Sequence, residues 1–217
     1  MYEILAIAVA AAAGAGLGCW QRRRLATLRY RAEDEVALPN PGPRWWVVWA
    51  GMLAVGGLAA AAVFSADPVS RLGLAPLAVS GPWLAAVDAD VMRLPNRVLG
   101  GTALLMAGAI LTVAWVGAGP DAAIQALIGA AAGGGLFAVI HFASRGELGF
   151  GDVKLAAIIG AGLGPLGLGH VCVALLAGSA AALIWIKATK HTDRHLPYGP
   201  WLLVGAWIAA LMPSLTR

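Results

Sequence analysis

Two short stretches of this chain carry acids where acids are costly. The first, Ala85-Ala86-Val87-Asp88-Ala89-Asp90-Val91-Met92-Arg93-Leu94-Pro95-Asn96, closes a long apolar run. The second, Gly149-Phe150-Gly151-Asp152-Val153-Lys154-Leu155, opens another. Ionisable residues at membrane depth are functional candidates by default. Singly, each acid has a plain reading: Asp88 and Asp90 as solvated loop acids, Asp152 as an acid favoured by a helix N-terminus. Together, Asp88 and Asp152 fit a pair of carboxylates sharing one proton, because like charges at close range cannot both ionise cheaply. In such a pair the ionised acid activates a water for attack on a peptide carbonyl. The protonated acid hydrogen-bonds the carbonyl oxygen. No serine with an adjacent base and no H-E-x-x-H zinc motif competes for that chemistry.

The neighbours of the two acids suggest how they are held. Pro95 must stop any helix, and Asn96 is placed to cap the next one through its side-chain oxygen. Gly149 and Gly151 remove side chains from beside Asp152, so another backbone or a substrate strand can come close. Lys154 sits where a lysine snorkels to an interface. The four histidines are scattered; only His191 and His195 have helical spacing, with Pro197 close behind, and no metal site is expected. Cys19 and Cys172 form no C-x-x-C pair and are expected as small buried hydrophobes rather than a disulfide.

The elements that must position these residues are membrane helices. Apolar residues make up 60% of the 217 residues and charged ones only 12%, about half the share a soluble domain carries. The 29 glycines and long alanine runs suit close helix approach where no hydrophobic effect drives association. An all-α bundle of about eight transmembrane helices is expected, spanning roughly 3–20, 45–64, 71–88, 97–116, 121–142, 153–168, 169–187 and 198–213. The sixth and seventh must be joined by a very tight turn at Gly164, Pro165 and Gly167 to Gly169. This divides the chain into a first helix (1–20), a short basic loop (21–44) and a membrane-embedded core (45–217).

Charge fixes the expected orientation. The first apolar stretch has Glu3 before it and Arg22, Arg23 and Arg24 after it, the reverse of a secretory signal, so it reads as a retained helix. With the N-terminus outside, 13 of the 15 lysines and arginines fall in or beside the inner loops, leaving only Arg71 and Arg217 outside. Both termini are then outside, and Asp88 and Asp152 share the inner face. The net charge of +4 reports orientation, and no nucleic-acid partner is expected. No span repeats convincingly, so an inverted-repeat transporter plan gains no support.

Gly149-Phe150-Gly151-Asp152-Val153-Lys154-Leu155 resembles the G-x-G-D-x-K-L signature of the type IV prepilin peptidases, the bacterial G-x-G-D aspartyl peptidases. Asp88, six residues before Leu94-Pro95-Asn96, is similar to the family's first aspartate, which precedes an aliphatic-Pro-Asn/Asp turn. The separation of 64 residues between Asp88 and Asp152 suits that family, and Leu196-Pro197-Tyr198-Gly199-Pro200-Trp201 resembles its Pro-Phe-Gly-Pro segment. The resemblance covers roughly residues 71–210.

The resemblance implies that Asp88 and Asp152 are the catalytic pair, with Asp90 a neighbour. Gly149, Gly151, Lys154, Pro95 and Asn96 would give substrate binding or structural support, and no cofactor is implied. The implied reaction removes a short basic leader from prepilins or pseudopilins at the cytosolic face of the bacterial inner membrane. The chain departs from the pattern between its first two spans. Many members carry a larger, cysteine-paired domain there and also N-methylate the product, whereas residues 21–44 are 24 long without C-x-x-C. A short-form peptidase without methyl transfer is the expectation. Within that loop Glu33, Asp34 and Glu35 read either as an attraction for a basic leader or as a solvated stretch. Membrane lipids are the other expected partners beside the prepilin substrate. Two other function classes remain: a proton- or ion-coupled transporter using the same aspartates, and a noncatalytic assembly scaffold for a pilus or secretion system.

Overall fold

The computed structural model describes residues 1–145, 147–189 and 197–213, and every regular element among them is a helix. α1 (Tyr2–Leu25) runs past the expected boundary at 20, with Arg22, Arg23 and Arg24 in its last turn, where cations are favoured by the exposed carbonyls. α2 spans Trp46–Val63. The expected span 71–88 is instead a broken helix, α3 (Pro68–Leu72) and α4 (Ala75–Val91). Asp67 caps α3 by accepting from the Ser70 N–H at 3.0 Å, and Pro68 occupies the first turn, where its missing donor costs nothing. α4 then continues three residues beyond Asp88 and ends at Met92, which adopts the left-handed conformation at φ 51°.

α5 (Asn96–Val113) passes through a π-helical turn at Ala114–Ala118 into α6 (Asp121–Ala143). α7 (Phe150–Leu163), a 3-10 turn at Gly164–Leu166, α8 (Leu168–Thr189) and α9 (Gly199–Leu211) complete the order. The tight turn expected between the sixth and seventh spans is that 3-10 turn. Among the described residues six helices are long and apolar enough to cross a membrane, α3 and α4 counting as one. α7 and α9, with 14 and 13 residues, fall short of the about 20 that a bilayer core requires, so the expected spans 153–168 and 198–213 are shorter than drawn. Both helices bury a face against the longer ones: Leu155, Ile159 and Leu163 of α7 and Leu202 and Ala209 of α9 have no exposed surface, while Val204, Ile208 and Leu211 line an exposed face of α9. A helix covered by protein need not match the hydrocarbon thickness.

α1 with α2, α6 with α7 and α8 with α9 pair closely, and small residues are the reason. In α6 and α7, Gly129 and Gly160 lie back to back, and a side chain on either would overlap the other's carbonyl group. α4 and α7 both pack against α5 and α9, so those two helices set the distance between them.

Chain segments alternate between two ends. One end gathers the α1–α2 connection and the turns before α5, α7 and α9. The other gathers Phe64 to Asp67, Pro165 and Leu166, and Met212 and Pro213. Arg71, expected as one outlying charge, is buried there. Its guanidinium donates to the carbonyls of Ala210 and, at 2.7 Å, Met212, satisfying the last acceptors of α9. Cys172 is exposed and Cys19 half-buried, and both thiols are free, so neither is the buried hydrophobe expected. Lys190, His191, Arg194, His195 and Arg217 lie outside the described residues, as does Leu196 of the motif before α9.

Candidate active site

Asp88 sits in the last turn of α4, directly after the buried residues Ala85, Ala86 and Val87, with 3% of its surface exposed. Its carboxyl Oδ2 accepts a 2.9 Å hydrogen bond from the backbone N–H of Gly199, at the start of α9. Asp152 is the third residue of α7 and is 8% exposed. Its own N–H donates to the Gly149 carbonyl at 3.0 Å, which closes the first turn. Its Oδ1 is buried and accepts no hydrogen bond. Asp88 and Asp152 lie within electrostatic reach of each other. Among the described residues neither forms a salt bridge. The solvated-loop reading of Asp88 gives way to burial, whereas Asp152 does stand in the first turn of a helix, as its plain reading had it, but buried there.

The structure brings the other sequence candidates to this same end. Gly151 lets the first turn of α7 lie against the turn before α5: a Cβ there would stand 3.1 Å from Leu94 Cβ. Gly149 faces Asp152 itself, its missing Cβ falling 3.2 Å from Oδ2. Pro95 takes the cap position before α5 without a side-chain cap, and Asn96 is the first residue inside the helix. From there its oxygen does not cap the helix. It accepts from Lys154 Nζ at 2.7 Å and so ties α7 to α5. Lys154 is therefore engaged with protein, and its ammonium also lies 5.1 Å from the centre of the Phe150 ring.

Asp90, two residues from Asp88, has a different environment. It accepts from Arg31 Nη2 at 2.8 Å, pairs with Arg44 at 3.1 Å and accepts the Tyr30 hydroxyl. These partners come from the α1–α2 connection, which is thereby fastened over the end of α4. Glu35 binds the Arg93 guanidinium and accepts the Ala32 N–H at 2.7 Å. The Arg93 guanidinium holds the Glu35 carboxyl below its ordinary value of 4.5. Of the three loop acids, Glu33 and Asp34 are left exposed.

Sequence reasoning quoted the Pro197-Tyr198-Gly199-Pro200 segment without seeing that Gly199 touches Asp88. It also left His141 unassigned. His141 Nδ1 lies 2.6 Å from the Leu148 carbonyl and its ring packs 5.5 Å from Phe150, bracing the turn before α7. No local pattern announced the Gly199 contact, because its partners lie 111 residues apart. The His141 contact is only seven residues long, but a lone histidine before a glycine-containing turn carries no distinctive signature.

The fold and site define a class: a polytopic helical membrane protein in which two buried aspartates, unpaired with any cation among the described residues, lie at one end of the bundle. The sequence profile of the Type IV leader peptidase family matches residues 77–186, half of the chain, and the chain belongs to that family. Both aspartates fall inside the matched residues; α1, α2 and α9 fall outside. A prepilin leader peptidase/N-methyltransferase of Pectobacterium carotovorum is 32% identical over 133 residues, 59% of this chain and 47% of the relative. A type 4 prepilin-like proteins leader peptide-processing enzyme of Escherichia coli is 36% identical over 156 residues, 68% of this chain and 55% of the relative. A Bacillus subtilis prepilin leader peptidase/N-methyltransferase is 34% identical over 133 residues, 59% of this chain and 50% of the relative. The chain spans about half the length of the curated relatives it matches. No solved structure matches it significantly.

Proposed function

We propose that this chain is an aspartyl endopeptidase of a bacterial inner membrane, removing the basic leader from prepilins or pseudopilins at the cytosolic face. The observation that carries this reading is the pair itself. Asp88 and Asp152 are buried at one end of the bundle, and among the described residues neither is paired with a cation. Burying carboxylates unpaired is expensive, and a structural role would not need two. An ionised and a protonated carboxyl at close range form a general base and a general acid in one site. The base takes a proton from water as the hydroxyl oxygen bonds to the scissile carbonyl carbon. The acid hydrogen-bonds and then protonates the carbonyl oxygen. Collapse of the tetrahedral intermediate breaks the C–N bond, and the departing amine takes up the proton held by the base. A hydroxyl of the intermediate returns its proton to the acid as the carbonyl re-forms, which restores the one-proton pair.

The reading is limited to peptide cleavage. The α1–α2 connection is short and fastened to Asp90 and Arg93, and it carries no cysteine pair to hold a separate domain. A proton relay would call for acids spaced through the bundle, whereas both aspartates belong to one end.

The test is cleavage of a co-expressed prepilin by the chain and by its Asp88→Asn and Asp152→Asn variants, inserted at equal levels. Each substitution is expected to abolish shortening of the pilin. Normal shortening by either variant overturns the pair, and proton flux that depends on both acids without cleavage would establish the transporter instead.

A further inference from the structure

Asp88 is aimed by a group that lies far from it in the sequence. Its Oδ2 accepts the Gly199 N–H at 2.9 Å, within the buried interior. Gly199 is the first residue of α9, so this N–H is one of the donors that no carbonyl of its own helix can satisfy. The missing Cβ of Gly199 points at the same carboxyl. A carbon built there would lie 2.9 Å from Oδ2, 3.2 Å from Cγ and 3.5 Å from Cβ of Asp88, its three nearest neighbours. The residue before it is fixed in turn. The Tyr198 hydroxyl donates to Ser179 Oγ of α8 at 2.7 Å, and its ring packs 5.9 Å from Phe137 of α6. Tyr198 also lies within electrostatic reach of Asp152. The start of α9 is thus held by α6 and α8 and presents one backbone donor to Asp88.

We propose that Gly199 is a positioning residue of the peptidase. Its N–H holds Oδ2 of Asp88, its lack of a side chain leaves the carboxyl room to take that bond, and Tyr198 with Ser179 keeps the donor in register. The inference rests on the aspartyl-peptidase reading. Held at Oδ2, the carboxyl cannot rotate freely, and Oδ1 is left to meet water and Asp152. Small misplacements of a reacting group cost large factors in rate. Gly149 stands in a similar relation to Asp152, with a looser gap of 3.2 Å.

The experiment measures kcat and KM for cleavage of a prepilin by the purified full chain in detergent, with thermal unfolding alongside. The three atoms nearest to a methyl at 199 all belong to the Asp88 side chain rather than to any backbone, so Gly199→Ala is expected to insert and melt normally. Its kcat should fall at least tenfold while KM stays within twofold. Gly149→Ala should lower kcat by a smaller factor. Tyr198→Phe and Ser179→Ala should each lower kcat several-fold, and the double variant should be no worse than either single one, since both delete one hydrogen bond. Wild-type kcat in Gly199→Ala overturns the proposal, as does a loss confined to KM or one that follows the melting temperature. Asp88→Asn serves as the control. If it cleaves normally the peptidase reading itself falls; if it is inactive while Gly199→Ala is fully active, only the positioning role falls.

Discussion

Asp88 and Asp90 are two residues apart on the same helix, yet they occupy opposite electrostatic worlds. Asp90 faces the α1–α2 connection and is surrounded by Arg31, Arg44 and the Tyr30 hydroxyl. Asp88 faces the interior and has one backbone N–H as its partner. A helix turns about 100° per residue, so a step of two places side chains on nearly opposite faces. One face meets a basic loop and the other meets α9. The lesson is that an acid's neighbours, more than its depth, separate an anchor from a reactive group. Asp90 is neutralised and holds a loop, and Asp88 is left free of an ion pair among the described residues, as the proposed peptidase role requires.

That comparison can be broken in order of expected effect. Asp88→Asn should lower kcat by about a thousandfold or more, since removing one member of a catalytic pair disables the unit. Its melting temperature should hold or rise, because an uncompensated buried carboxyl has gone. Asp90→Asn should behave in the reverse way. Removing one partner of a buried ion pair strands the others, at a cost of up to about 3 kcal/mol, so thermal unfolding shifts down while kcat at low temperature changes by less than about tenfold. Equal losses of activity in both variants, with equal stability, would erase the distinction. Tyr30→Phe removes a single hydrogen bond to Asp90 and should cost about 1 kcal/mol, read as a smaller shift on the same melting curve.

The mildest prediction concerns the exposed margin of that loop. Arg93 holds the Glu35 carboxyl below 4.5, so Glu35 contributes stability that is fully present above that pH. It is lost as the pH falls through the lower folded-state value. Glu35→Gln should flatten this acid limb of the melting-temperature profile and leave neutral-pH stability nearly unchanged, because a partly exposed pair is worth little. An unchanged acid limb would show that Arg93 does not bias Glu35 in the folded protein.

Some of this was legible in one dimension. Apolar runs of near-constant length located the long helices, because a bilayer core sets the length of whatever crosses it. The G-x-G-D stretch marked Asp152, and spacing to Pro95-Asn96 favoured Asp88 over Asp90. Helix ends were less legible. α4 outran its expected end by a full turn and put Asp88 inside the bundle, since hydropathy fades before hydrogen bonding does. Asn96 was placed as a cap, but the helix starts one residue earlier than that role requires and its oxygen bonds Lys154 instead. α7 and α9 were drawn too long, because burial against protein frees a helix from the thickness rule.

The sequence by itself determined that this is a helical membrane protein with acids at Asp88 and Asp152, because composition and local spacing carry those facts. The tertiary structure alone decided what surrounds each acid. Arg31 and Arg44 reach Asp90 across the α1–α2 connection, and Gly199 reaches Asp88 across 111 residues of chain. Contacts of that range depend on how α5 and α9 pack between α4 and α7. No local pattern encodes them, because the energy that fixes them is shared over the whole bundle.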